Sequence, residues 1–486
     1  MTERRPTRGG PFTGGAEDAG KGPESRHMHV YFLAGAAIVR LLGINSASIW
    51  FDEAISRFRA SVSLMDYMRY FSDYTGTNLW EVMLRPFAVG PVWMLRIPSL
   101  VAAVLALWLA ARIMDRLEFT RGQWITAAIP LALLPGLIWQ AQDARYYAAV
   151  GAIYMAGIWF ALQGRGLGLL ACMGLLPYLH PIGLAYSLGL FCVGIICGMG
   201  AVRSLWIGGV SLISWLPRIY QILSTQALPG LQPVGAGDSG RTEFWLREVT
   251  PLYAVDHTGQ ALVVDSLDFL CRLLVVALVL FVVAVAATRI AHKTTRITLA
   301  AAAVPIIALF AMAMIQPVYF YRPVQPDALP LCLLIGLILA PGPKWMSKIA
   351  PAFGLILLAI SVANWNPSAR GGYIDKGADA ILRNWHAGDK IAYASLTVAM
   401  PFQYYLPDKA SCLIPGNDMG DLPPALRTMD ECDEYAGAGT WIVVPRDPTL
   451  NEDVAKELNK LTAESLPAWW SDIAWQFAPI EIFYLQ

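Results

Sequence analysis

Charge is scarce in this chain. Only 15% of its 486 residues are Asp, Glu, Lys or Arg, while 56% are hydrophobic. Apolar residues at that density, spread over most of the length, exclude an ordinary soluble protein and indicate a multi-pass membrane protein. The 36 basic and 36 acidic residues cancel, and no basic run occurs. A nucleic-acid partner is therefore set aside. Histidine numbers only six, and no His or Cys cluster has the spacing of metal ligands, which argues against a dedicated zinc site. Residues 1–27 hold almost no large apolar side chain. Such a segment cannot bury enough surface to fold and lacks the apolar core of a signal peptide, so it reads as a disordered cytoplasmic tail.

What the chain does have is a series of apolar runs near spanning length, at 28–48, 92–114, 123–141, 146–163, 166–180, 182–200, 204–224, 267–288, 297–316, 324–341 and 349–363. With about 20 residues needed to cross a bilayer, these predict about 11 helices over residues 28–363. Lys and Arg favour the cytoplasmic side of short connections. With the tail inside, the inner connections carry ten, namely Arg112, Arg116, Arg121, Arg165, Arg203, Arg289, Lys293, Arg296, Lys344 and Lys348, and the outer ones two, Arg145 and Arg322. The expected protein lies in the inner (plasma) membrane, N-terminus cytoplasmic and C-terminus outside.

On that orientation the longer outer segments are rich in arginine, with Arg57, Arg59, Arg69, Arg85, Arg96, Arg241 and Arg247 and no lysine among them. Arginine presents a planar fork of donors suited to phosphate oxygens. The stretch Trp50-Phe51-Asp52-Glu53-Ala54 places two carboxylates just after the first apolar run, at the expected water boundary. Carboxylates there are functional candidates, the plain alternative being a polar loop that starts where a helix ends. Val62, Leu64, Met65, Met68 and Phe71 recur at helical spacing, which fits a helix lying on the membrane or one packed against other helices. The connection 224–264, rich in Pro and Gly, reads as a lid or an unstructured connector.

Beyond Trp365 the composition changes. Residues 366–486 carry 17 acidic and 9 basic side chains, and apolar runs shorten to strand length at 391–395, 441–445 and 480–485, with helical patterns at 378–385, 422–429 and 453–461 between them. This predicts a soluble α/β domain at 364–486, periplasmic or extracellular. Cys412 and Cys432 lie in it, in an oxidising compartment, and are expected to form its disulfide, two free thiols being the alternative. The other five cysteines lie in apolar runs, where a thiol behaves as a small hydrophobe.

Several stretches, in this order, resemble a known family. Trp50-Phe51-Asp52-Glu53-Ala54, Arg96-Ile97-Pro98-Ser99, Gln142-Asp143-Ala144-Arg145-Tyr146-Tyr147, Tyr178-Leu179-His180-Pro181, Trp215-Leu216-Pro217, Tyr321-Arg322-Pro323 with Ala328-Leu329-Pro330, and His386-Ala387-Gly388-Asp389-Lys390-Ile391 are similar to segments of the C-type (GT-C) glycosyltransferases that use polyprenyl-phosphate sugars. Within them the likeness is to the bacterial protein O-mannosyltransferase and lipid A aminoarabinose transferase branch. It covers most of residues 28–410 and implies a GT-C transmembrane domain with catalytic outer loops. Two departures stand out: Asp73 leads into Tyr74-Thr75-Gly76 with no proline pair, and the second-loop acid is Asp143 where Glu is common. Acceptor identity therefore does not carry over.

The resemblance implies an inverting transfer of a monosaccharide from a polyprenyl-phosphate donor to an extracytoplasmic hydroxyl on a protein, lipid or polysaccharide. Such a transfer needs a base for the hydroxyl proton and cations for the leaving phosphate. Asp52 suits the first role, with Glu53 pointing elsewhere to orient loop or acceptor. Arg145, Arg322, His180 and Arg96 suit the second, each with a snorkelling or structural alternative, and Tyr146 belongs to the same signature. Asp143 is open between pairing with Arg145, holding acceptor, and joining Asp52 as an oxygen ligand of a divalent cation. No other cofactor is indicated. A transporter or flippase of lipid-linked glycans is the alternative, but it calls for ionisable residues near mid-membrane and inverted repeats, and neither is found in the sequence.

Overall fold

A computed structural model describes residues 23–45, 47–71, 79–224, 282–315 apart from 284, 325–340, 374–414 apart from 395, 439–445 and 480–485, with the single residues 352 and 432. The connection beyond Ser224, Arg322, the apolar run 349–363 apart from residue 352, and the helical patterns 422–429 and 453–461 lie outside the described residues, as does most of the run 267–288.

The apolar runs form a helical bundle. Its members are α1 (Pro23–Leu41), α5 (Val92–Arg116), α6 (Arg121–Leu133), α7 (Pro135–Ala141), α8 (Tyr147–Leu162), α9 (Gly166–Leu179), α10 (Gly183–Ile196), α11 (Ala201–Ser224), α12 (Lys293–Ile315) and α13 (Ala328–Leu339). Among the described residues, Val92–Arg116 and Lys293–Met312 are long and apolar enough to cross a bilayer, and shorter apolar stretches run over His27–Leu41, Tyr147–Leu162, Gly166–Leu179, Gly183–Ile196, Leu205–Pro217 and Gln325–Leu339. One continuous core of Leu, Ile, Ala, Val and aromatic side chains runs through them. The expected helix at 123–141 is two: Leu134 is extended (ψ 124°) and Pro135 opens the second. A proline cannot donate the amide that continuation needs and pushes the residue before it out of the helical region.

The first apolar run also ends early. Helix α1 stops at Leu41 rather than 48, and after a turn and a short extended segment a new helix, α2 (Phe51–Ser61), begins. So Asp52 and Glu53 stand in the first turn of a helix, not in a loop. Negative side chains there are favoured by the helix dipole by about 0.3–1 kcal/mol each. Then come α3 (Leu64–Phe71) and α4 (Leu79–Leu84). In α3 both readings of its pattern hold in part: Tyr67 is buried against Phe58, Val62 and Val82, while Leu64, Met65 and Met68 remain exposed.

The C-terminal described residues form a four-stranded sheet in the order β2-β1-β3-β4. β1 (Lys390–Tyr393) pairs in parallel with β2 (Ser411–Leu413) and β3 (Thr440–Pro445), and β3 pairs antiparallel with β4 (Ile480–Leu485). Helices α14 (Ile374–Arg383) and α15 (Leu396–Tyr405) flank it. Ile381, Ile391, Tyr393, Phe402, Trp441 and Val443 are central to a core distinct from that of the bundle. Cys412 and Cys432 are joined by a disulfide, which ties β2 to the chain beyond it. The sequence pattern missed β2, only three residues long, and α15, whose Pro401 argues against a helix interior.

Helix α15 serves both cores. Val398, Ala399, Phe402 and Leu406 face the sheet core, whereas Met400 and Tyr404 pack on the bundle core, and Tyr405 touches both.

Candidate active site

The site forms where the C-terminal end of α1, the N-terminal ends of α2 and α5, the α7–α8 turn and the α9–α10 turn converge. Its foundation is an ion pair. Arg96 donates through Nε to Glu53 Oε1 at 2.8 Å and through Nη2 to Glu53 Oε2 at 2.7 Å, and both side chains are essentially sealed from solvent, at 2% and 1% exposure. The rest of the guanidinium holds the chain leading into α2: Nη1 donates to the carbonyls of Ile44 (2.8 Å) and Ala47 (3.0 Å), and Nη2 to that of Ser48 (3.1 Å). A buried, non-helical segment must have its carbonyls satisfied from elsewhere, and one arginine does this for three of them.

Arg96, expected as a phosphate ligand, is thus fully engaged beneath the site. Its planar fork, suited to phosphate, suits a carboxylate and a row of carbonyls equally well. Glu53 likewise has both oxygens engaged, Oε1 also accepting the Ala144 amide at 2.8 Å. An α-helix turns 100° per residue, so Glu53 points into the protein while Asp52 points away from it.

The α7–α8 turn is fixed on every side. Gln142 Nε2 donates to the carbonyls of Arg40 and Leu42 at the end of α1 (3.0 and 2.6 Å). Asp143 Oδ1 accepts from Trp50 Nε1 at 3.1 Å. Trp80 Nε1 donates to the Ala144 carbonyl at 3.1 Å, and Ser99 Oγ to that of Arg145 at 3.2 Å. Trp50 and Ser99 belong to stretches that carry the family resemblance, whereas Trp80 lies outside them and has no signal of its own in the sequence.

From this turn Arg145 reaches over α2. Its Nη1 donates to the Asp52 carbonyl (3.2 Å) and to Ser56 Oγ (3.0 Å), and Nη2 lies 3.8 Å from Asp52 Oδ2. Asp52 and Ser56 are one turn apart on the same helical face, which is why one guanidinium meets both. The Asp52 and Arg145 side chains keep 21% and 14% exposure, and Arg145 Nε is buried with no partner among the described residues. The Asp52 carboxylate beside Arg145 holds the guanidinium firmly charged, against the opposing effect of burial.

Arg145 also lies over the Tyr146 ring at 5.1 Å, and that ring stacks on His180, centroids 3.8 Å apart and planes within 11°. The Tyr146 hydroxyl donates to that of Tyr147 at 3.0 Å. His180 Nδ1 accepts the Ile182 amide at 3.4 Å, which orients its ring. A second ion pair, Arg59 to Glu81 at 3.7 Å, lies close by, with Tyr67 donating to Glu81 at 3.2 Å.

The structure therefore brings Asp52, Arg145, Tyr146 and His180 together and sets the buried Glu53, Arg96 and Asp143 beneath them. Among the described residues no three His, Cys, Asp or Glu side chains converge as a metal site requires. Asp52 and Asp143 already serve Arg145 and Trp50.

No protein-family model matches the chain, and no curated sequence matches it either. Its fold does match solved structures. The crystal structure of ArnT from Cupriavidus metallidurans in the apo state superposes with a TM-score of 0.54 at 14% identity, covering 90% of this chain and 95% of that one. The same protein bound to undecaprenyl phosphate gives 0.54 at 15% identity, with 89% and 95% covered. At such identities the likeness shows the fold: this chain has the multi-pass helical membrane architecture of those structures.

Proposed function

We propose that the chain is an inverting membrane glycosyltransferase that moves a monosaccharide from polyprenyl phosphate to a hydroxyl acceptor outside the cytoplasm. The observation that carries the reading is the partly exposed Asp52 carboxylate beside Arg145, whose buried Nε has no partner among the described residues. The fold supports it too, being that of ArnT, which in one crystal form holds undecaprenyl phosphate.

The roles follow from charge and position. Asp52 accepts the proton of the acceptor hydroxyl as its oxygen attacks the anomeric carbon. The bond from that carbon to the phosphate oxygen breaks, and polyprenyl phosphate departs with the electron pair. Arg145 neutralises the charge that grows on the phosphate, Nε and the outer edge of the guanidinium being the donors left for it. Arg322 is assigned to the same task on its sequence context. His180 is assigned to contact with phosphate or sugar, and Tyr146, buried against both His180 and Arg145, positions the two. Glu53, Arg96 and Asp143 hold these groups in place. The carboxylates that would hold a divalent ion are Asp52 and Asp143, since Glu53 is taken by Arg96. One direct displacement inverts the anomeric carbon. On this reading residues 28–363 form the catalytic domain, and 364–486 a periplasmic or extracellular α/β domain.

The test is transfer of radiolabelled sugar from a panel of polyprenyl-phosphate monosaccharides in membranes holding wild type or Asp52→Asn. Label that appears only with wild type supports the reading and names the donor. Transfer at the wild-type rate by Asp52→Asn overturns it.

A further inference from the structure

The C-terminal helix α15 touches the site through two adjacent tyrosines. The Ile49 amide donates to the Tyr405 hydroxyl at 3.1 Å. The Tyr404 ring lies under Arg57, 4.1 Å from guanidinium carbon to centroid, while Arg57 Nε donates to the Ala88 carbonyl at 2.8 Å. Ile49 and Ser48 are buried, at 0% and 3% exposure, in the extended segment that precedes α2. Arg96 takes the carbonyls of that segment, as described, but a guanidinium has no acceptor to offer its amides. The buried Ile49 amide needs an oxygen, and Tyr405 supplies one from a residue 356 positions away. An amide left without a partner there would carry the full cost of its desolvation.

We infer that Tyr405 is a positioning residue for Asp52: its hydroxyl fixes Ile49 and the Tyr404 ring fixes Arg57, so α15 holds both sides of the segment that aims Asp52 at Arg145. Ile49 lies three residues before Asp52 and Arg57 five after it. With both held, the first turn of α2 cannot rock relative to the α7–α8 turn, and the Asp52 carboxylate stays where the guanidinium meets it. Tyr405 and Arg96 also interact electrostatically, so the tether adjoins the buried polar cluster that seats Glu53. The C-terminal unit is in this way part of the active site's frame, and it acts without touching substrate. The inference rests on the transferase reading given above.

The experiment uses the full chain in lipid nanodiscs and compares wild type with Tyr405→Phe, which removes one oxygen and keeps the ring. Tyr393→Phe is the control, because its buried hydroxyl lies in the sheet away from the bundle. Two readouts are taken, amide hydrogen exchange over residues 49–53 and the steady-state constants for donor.

In Tyr405→Phe, exchange at 49–53 should quicken about tenfold while β1 stays protected, and kcat should fall on the order of tenfold with the donor KM within about twofold of wild type. Tyr393→Phe should change neither. A Tyr405→Phe protein with wild-type exchange at 49–53, or with quickened exchange and wild-type kcat, overturns the inference. Failure of the transferase reading looks different: wild type itself would show no transfer that depends on Asp52. If Tyr405→Phe loses protection in β1 as well, Tyr404→Leu, which withdraws only the ring under Arg57, decides by the same two readouts.

Discussion

Asp52 and Glu53 are neighbours in sequence and opposites in environment, and their substitution should show it. Removing the Glu53 charge leaves Arg96 buried at 2% exposure with no counter-ion, a situation that costs about 3–5 kcal/mol. Glu53→Gln is therefore expected to lower the thermal midpoint in detergent sharply and to lose activity with it. Asp52 is 21% exposed, and Asp52→Asn should shift stability by no more than about 0.5 kcal/mol while transfer stops. Equal midpoints for the two variants would show that Glu53 is not the anchor. The sequence announced both carboxylates but not this division. Helical rotation sends them to different sides, and that becomes visible only once α2 is known to begin at Phe51 rather than after a longer first helix. Arg96 was legible as a residue with a purpose, yet its partners, Ile44 through Glu53, come from a segment with no periodicity of its own.

At the scale of single elements, the sheet carries its own titrating lock. Asp389 accepts from the His386 amide (2.9 Å), Trp441 Nε1 (3.0 Å) and the Tyr484 hydroxyl (3.1 Å), so it joins the turn before β1 to β3 and β4. Gly388, with φ +96°, makes that turn, a conformation that a Cβ would strain. Burial works to raise the Asp389 pKa, but the three hydrogen bonds and the nearby His386 outweigh it, and the carboxyl is held below its ordinary value. A carboxyl depressed on folding stabilises the fold above its unfolded pKa of about 3.9, and that stability is lost as pH falls from there through the folded value. The midpoint of wild type should exceed that of Asp389→Asn at pH 6 and converge on it below about pH 4; a gap that does not narrow would refute the lock.

The disulfide belongs to the same scale. Its cysteines are 20 positions apart, and Cys412→Ser with Cys432→Ser should cost the C-terminal unit roughly 3 kcal/mol in denaturant titration. A double variant as stable as wild type would count against a structural role. The pairing was foreseeable from compartment and composition, as were the strands at 391, 441 and 480, because alternation and apolar runs are local signals. The break at Leu134–Pro135 had a visible cause in Pro135 but was hidden by unbroken hydropathy. The Tyr405 tether had no local signal, since nothing in a pattern around residue 405 reports a contact with residue 49.

For the whole molecule, one observation bears on sidedness without a count of helices. The end of α1, the start of α5, the α7–α8 turn and the α9–α10 turn all meet at the site, through Gln142 and Arg40, Arg96 and Ile44, and Tyr146 and His180. Tyr405 brings the C-terminal unit to that same end. At the opposite ends of these helices stand Arg112, Arg116, Arg121 and Arg165, with Arg203 and Lys293 at the starts of α11 and α12. The cations of the short connections gather at that end, and short connections rich in Lys and Arg favour the cytoplasm. The site and the sheet lie at one end of the bundle, and on the proposed orientation both face outside the cytoplasm. Alkaline phosphatase fused after Gln486 should be active in cells, and fused within the short connection at Gly164 it should be inactive, since the enzyme matures only outside the cytoplasm. Inverted activities would carry Asp52 into the cytoplasm along with the sheet. The acceptor would then have to be cytoplasmic, and the oxidising environment invoked for Cys412 and Cys432 would go with it, so a single pair of fusions tests the orientation, the acceptor's compartment and the origin of the disulfide together.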